Sequence, residues 1–180
     1  YPVRLGFHAS SVIINGKARF SCRTRIKQLD GAVVETIESL AEFGESPHPL
    51  IQTVIQDGIF QCGFCAPGAI MTAKALLDKT LNPTDKQIEK ALSTVLCRCA
   101  GLNRMDLSVK RAAAILRGDE ASTWTAEDTA NEYMMLEKIT GRLVFTDDMK
   151  LPEMLYAGAY RANVPHARVL GIDTSAAEAM

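Results

Sequence analysis

Four cysteines in two tight clusters, Cys62-x-x-Cys65 and Cys97-x-Cys99, constrain this chain more than any other feature. Five cysteines in 180 residues make neither a disulfide framework nor an even count; such spacings point to metal or redox chemistry. A 2Fe–2S cluster takes four thiolates, two on each iron. Cys62 and Cys65 share one turn and can serve one iron, and Cys97 and Cys99 can serve the other. Gly63 and Gly68 let the backbone bend and approach inorganic sulfide closely. On spacing alone the alternatives stay open: one tetrahedral zinc, a redox dithiol, or buried free thiols. Cys-x-Cys is less usual in zinc knuckles than paired Cys-x-x-Cys.

The flanking sequence predicts what carries these turns. Residues 1–46 read as a small β-rich element. Ser11–Ile14 is β-branched, Asn15-Gly16 is a hairpin signal, and Ala18–Cys22 follows. Gly31–Ile37 supplies a further strand candidate. From residue 47 the pattern turns helical. Helices are expected over Pro49–Asp57, ended by Gly58; over Ala69–Asp78, opened by Pro67; over Asp85–Thr94, with Thr84 and Gln87 as a capping box; and over Met105–Leu116, ending near Gly118. Two helical hairpins facing each other would bring both cysteine turns to one end of a four-helix bundle. Residues 119–137 are polar and acidic and read as a linker crossing a surface, with Trp124 anchoring it. Residues 138–180 suggest strands and turns, at Thr140–Phe145 and Leu155–Arg161.

Composition excludes some partners. Lys plus Arg number 20 and Asp plus Glu 21, for a net charge of −1, so there is no basic excess for nucleic acid. No apolar run approaches the roughly 20 residues of a membrane span, and the start has no secretory pattern. A cytoplasmic location is the default expectation. A chain that opens without Met and stops just after a helix-like SAAEAM is expected to be a fragment, whose missing start could hide a targeting segment.

Gln61-Cys-Gly-Phe-Cys-Ala-Pro-Gly68, Asn82-Pro-Thr84 and Leu96-Cys-Arg-Cys-Ala-Gly101 closely resemble the helical iron–sulfur domain of the xanthine dehydrogenase/aldehyde oxidoreductase family. Val12–Lys17 and Phe20–Cys22 look like the end of that family's ferredoxin-like (β-grasp) domain. Thr140–Asp148, Leu151-Pro152, Pro165–Arg168 and Ile172–Ser175 look like the opening of its molybdenum-binding domain. The resemblance implies an α+β chain in four parts. These are a ferredoxin-like remnant over 1–46, a four-helix 2Fe–2S domain over 47–118, a linker over 119–137, and the first strands of an α+β molybdenum domain over 138–180.

It also implies roles. Cys62, Cys65, Cys97 and Cys99 would ligate the cluster nearest the molybdenum cofactor, and Gln61 and Cys99 would touch its pterin. Electrons would leave molybdenum through the pterin to this cluster. The whole enzyme would hydroxylate a purine, another N-heterocycle or an aldehyde, with oxygen from water. Residues that transform substrate are expected further along the molybdenum domain, so no catalytic residue is expected here. The stretch between Gly118 and Lys138 is too short for a flavin domain, so no FAD is expected in this chain. Expected partners are the remainder of the molybdenum domain, on the same or another polypeptide, and a flavin or electron-acceptor subunit, within an oligomer.

The chain departs from the family in one place. The outer cluster's first three ligands align with Pro2, Phe7 and Ser10, and only Cys22 matches a cysteine, so the outer cluster is expected to be absent. Cys22 is then expected as a small buried hydrophobe. His8, His48 and His166 are too scattered for a metal site, and surface or capping roles are expected. Two rival functions remain: a zinc-stabilised interaction module without redox activity, and a stand-alone iron–sulfur carrier.

Overall fold

A computed structural model describes residues 10–41 and 46–179. Pro2, Phe7 and His8 lie outside these. By internal contacts the chain divides into two units, Tyr1–Leu143 and Val144–Met180.

The first unit opens on a hairpin of β1 (Ser11–Ile14) and β2 (Lys17–Phe20), registered Ser11 to Phe20 and Ile14 to Lys17. Its turn residues Asn15 and Gly16 both have positive φ, +48° and +72°, the backbone of the expected type I′ turn. The expected strand over Gly31–Ile37 shortens to β3 (Val34–Glu35), which pairs antiparallel with the other side of β1 for a sheet order β2-β1-β3. Two local events shorten it. Asn15 reaches across, its Oδ1 accepting from the Val33 N–H and its N–H donating to the Val33 carbonyl, both at 2.9 Å. Beyond Thr36 the chain tightens into a 3₁₀ turn, Ile37–Leu40, that buries Ile37 and Leu40. Burying two side chains three apart suits a helical turn, not an alternating strand.

Four helices follow, with ends set by local chemistry. α1 (Pro49–Gln56) begins with Pro at its first position. His48 caps it: the Leu50 N–H donates to His48 Nδ1 at 3.2 Å. That acceptor role needs the neutral ring, and burial first, then the Lys74 charge, holds the His48 pKa below its ordinary value. The capping role expected of such a histidine is thus met at this position. α2 (Ala66–Leu77) starts three residues earlier than expected, with Pro67 inside its first turn; a first-turn proline loses no helical hydrogen bond, so Cys65 can lead directly into the helix. α3 (Asp85–Leu92) carries the expected capping box. The Thr84 N–H donates to Gln87 Oε1 at 2.8 Å, and the Gln87 N–H returns to Thr84 Oγ1 at 3.4 Å. α4 (Met105–Arg117) ends on Gly118 in the left-handed conformation, φ +81°.

α1 lies on α4, and α2 on both α3 and β1. Leu50, Ile51, Val54, Ile70, Met71, Ile88, Met105 and Val109 share one core and are almost fully buried. Within it the Thr53 hydroxyl donates across α1–α4 to the Ser108 carbonyl at 3.1 Å.

Residues 119–137 hold more structure than a linker. α5 (Ala126–Asn131) and α6 (Tyr133–Thr140) form there. Trp124 packs against the core, as expected of an anchor, and its Nε1–H donates to Thr129 Oγ1 at 2.9 Å. Ile139 is fully buried. The strand expected from Thr140 to Phe145 is replaced at its start by the end of α6, which closes on Gly141 at φ +72°.

The second unit, taken by itself, has a 3₁₀ turn at Thr146–Asp148 and a short α7 (Ser175–Glu178). Among the described residues it holds no β-strand, against the expectation for Leu155–Arg161. A strand exists only by pairing, and here Leu155 is 91% and Tyr156 94% exposed. No helix among the described residues is long and apolar enough to cross a membrane.

Candidate metal centre

The two cysteine turns come from different helical hairpins, 37 residues apart, yet Cys62 Sγ and Cys99 Sγ stand 3.6 Å from each other. A disulfide requires about 2.05 Å. Two thiolates sharing one tetrahedral metal, with metal–sulfur bonds of about 2.3 Å, stand about 3.7 Å apart. Cys65 and Cys97 form a second cross-turn pair joined by a hydrogen bond. The structure therefore adds contacts between the turns to the sharing expected within each. The sulfurs meet across the turns, Cys62 with Cys99 and Cys65 with Cys97.

Local geometry explains how the turns meet. The first runs from the end of α1 through Gln61–Cys65 into α2, closed by the Ala66 N–H donating to the Gly63 carbonyl at 3.0 Å. Gly63 has φ +76°, and a Cβ there would fall 2.7 Å from Cγ and Cδ of Lys138. The second turn runs through Cys97–Cys99 to Ala100, which is left-handed at φ +59°, and on into the 3₁₀ turn Gly101–Arg104. At Gly101 a Cβ would stand 2.3 Å from the Ile59 carbonyl oxygen. The second turn thus lies flush on the backbone that leads into the first.

The thiols divide electrostatically. Burial, then the hydrogen bond with Cys97 and the nearby charges, pushes the Cys65 thiol up to about 12. Burial also acts to raise Cys97, but the bond from Cys65 and the N–H groups of Gly101, Cys99 and Leu102 outweigh it and hold its pKa below the ordinary value. The left-handed Ala100 folds these amides around one sulfur, a nest that favours an anion. Such N–H donors stabilise a metal-bound thiolate and tune its potential.

This donor set fits a 2Fe–2S cluster. It offers four sulfurs in two pairs, one pair at the spacing of a shared tetrahedral metal, with amides aimed at sulfur. Gln61 is exposed, and its carbonyl lies 3.5 Å from Lys138 Nζ. Cys22 sits in the 3₁₀ turn Ser21–Arg23, none of whose residues is buried, and is exposed, which corrects its expected burial.

Residues 36–110 match the family described as 2Fe-2S binding domain. A nicotinate dehydrogenase subunit from Pseudomonas putida is 42% identical over 109 residues, covering 61% of this chain and 69% of that protein. The chain belongs to the xanthine dehydrogenase/aldehyde oxidoreductase family. Within it, the aldehyde oxidoreductase of Megalodesulfovibrio gigas is 35% identical over 188 residues, 96% of this chain. The solved aldehyde oxidoreductase of Desulfovibrio desulfuricans aligns with a TM-score of 0.67 and 32% identity over 97% of this chain. The chain spans only 21% of the length of either aldehyde oxidoreductase.

Beneath the family's cysteine motif lies a polar clamp that sequence reasoning missed. Asp57 accepts from Arg111 Nη1 at 2.7 Å and from the Ser108 hydroxyl at 2.5 Å, and its carbonyl accepts from Arg104 Nη2 at 3.2 Å. It ties the end of α1 to α4 and to the turn that follows Cys99. The available signal was an acid at a helix C-terminus, where the macrodipole disfavours it unless a cation answers. Asp57→Ala leaves the partly buried guanidinium of Arg111 without this partner. A loss of about 2 kcal/mol is expected, read as a lower urea midpoint at unchanged m-value.

Proposed function

We propose that Cys62, Cys65, Cys97 and Cys99 hold one 2Fe–2S cluster, and that this chain is the electron-transfer portion of a molybdenum hydroxylase. The 3.6 Å approach of Cys62 and Cys99 across the two turns is the observation that carries this reading. The cluster, when bound, supplies one-electron storage. The protein's own part is to hold four sulfurs in two pairs, direct the amides of Cys99, Gly101 and Leu102 at Cys97, and keep Cys65 from water. Helices α1–α4 act as the four-helix cluster domain, and the three-stranded sheet as the ferredoxin-like remnant.

The whole enzyme hydroxylates an aldehyde, a purine or another N-heterocycle with oxygen from water; relatives named for aldehyde and nicotinate oxidation favour this range. The exposed Gln61 and the half-buried Cys99 face the pterin of the molybdenum cofactor. Residues Val144–Met180 pair with the remainder of the molybdenum domain, which would cover apolar side chains such as Leu155 and Tyr156 that stand exposed here. Electrons then pass to a flavin or acceptor subunit.

Iron and sulfide analysis of the protein purified without oxygen should give about two irons and two sulfides per chain, with an EPR signal on one-electron reduction. Zinc without iron overturns the reading in favour of a structural zinc module. About four irons per chain would instead show that the outer cluster persists.

A further inference from the structure

Lys138 stands in α6, outside both cysteine turns, but its side chain lies across the first of them. Its Cγ and Cδ occupy the space that a Cβ on Gly63 would need, 2.7 Å from that position. Its Nζ is 3.5 Å from the carbonyl of Gln61. The ammonium therefore adjoins the three-residue backbone segment, Gln61 to Gly63, that carries Cys62. The stem is held on both sides. Ile139, the next residue, is fully buried and anchors α6. Gly63 itself is buried and has no side chain to push the lysine away.

The structure assigns Lys138 as a positioning residue for the centre, one that raises its reduction potential and holds the Gln61–Gly63 turn in place. This rests on the cluster reading above. Four thiolates, two ferric ions and two sulfides sum to −2, and reduction adds one electron and no proton, giving −3. A fixed positive charge beside Cys62 favours the more negative form, so its removal makes reduction harder. The stem is half-buried and the ammonium meets an exposed carbonyl, so solvent and salt weaken the interaction while the short range preserves part of it. The first cysteine motif, Gln61–Gly68, contains no cation of its own; the lysine arrives from a helix 76 positions beyond Cys62 in the sequence.

The test is a dithionite titration of the intact, cluster-loaded protein, followed by EPR, for wild type, Lys138→Met, Lys138→Gln and Lys138→Arg. Lys138→Met keeps most of the stem and removes the charge, and Lys138→Gln serves the same comparison should the first variant load poorly. In the neutral variants the equilibrium constant for reduction should fall about tenfold, a downward shift of ~59 mV for one electron. Lys138→Arg should stay close to wild type. A midpoint unchanged in both iron-loaded neutral variants overturns the assignment while leaving the cluster intact. An equal fall in the arginine variant also overturns it, because packing and not charge would then be responsible. A wild-type protein that binds zinc and no iron removes the cluster reading and this assignment together.

Discussion

Replacing Cys65 by alanine empties the centre, and bound iron falls below roughly a tenth of the wild-type content. Cys65 is the one cysteine of the four that is fully buried, 5% exposed. One iron would be left with a single protein thiolate, and a cluster held by three sulfurs is lost on purification. The alanine also removes the donor that Cys97 uses to offset its own burial. Cys22→Ala provides the control. Cys22 is exposed on a separate turn, so iron content and EPR signal should be unchanged. Full iron in Cys65→Ala with a wild-type spectrum would remove Cys65 from the ligand set.

Gly101→Ala should be nearly as damaging, for a reason of space alone. The added Cβ would sit 2.3 Å from the Ile59 carbonyl oxygen, and the Ile59 carbonyl carbon lies at 3.3 Å. Neither is the flexible end of a side chain, so one of two backbones must move. Close-packed interiors transmit such displacements. Here the displaced pieces are the Cys97–Cys99 turn and the segment leading into Cys62. We expect a loss of about 3 kcal/mol, a melting temperature lower by about 10 °C, and reduced cluster loading. Gly118→Ala separates space from conformation. Gly118 has φ +81° with nothing within 4 Å of an added Cβ. Its cost is the left-handed backbone only, about 1 kcal/mol, and cluster loading should be retained. Equal iron content and equal melting temperatures in the two variants would remove the argument from close approach.

Much of this molecule was legible because its signals are local. Asn15-Gly16 set the hairpin, Pro49 and Thr84 set helix starts, and Gly118 ended α4, each within about one turn of chain. Those rules depend on φ preference and on unpaired N–H groups, both of which are written in four or five consecutive residues. The misreadings have the opposite character. Gly31–Ile37 and Leu155–Arg161 have strand composition, but a strand needs a partner. β3 keeps two residues because only two find β1, and among the described residues the second segment pairs with nothing. Residues 119–137 are polar enough for a linker, and within them two short helices form whose course follows Trp124 and the apolar side chains of α6 packing on the core.

The sequence by itself determined that four cysteines sit on two turns between four helices, and where most of those helices end. Only the tertiary structure decided which sulfurs meet. Cys62 faces Cys99, and Cys65 faces Cys97, because α1 lies on α4 and α2 on α3, which sets the two turns against each other. The same docking placed Gly101 on the Ile59 carbonyl, Asp57 on Arg111, and Lys138 over Gly63. Local spacing limits which side chains share a turn. It carries no information on how one turn is rotated against another, and that rotation is set by the buried side chains between the helices.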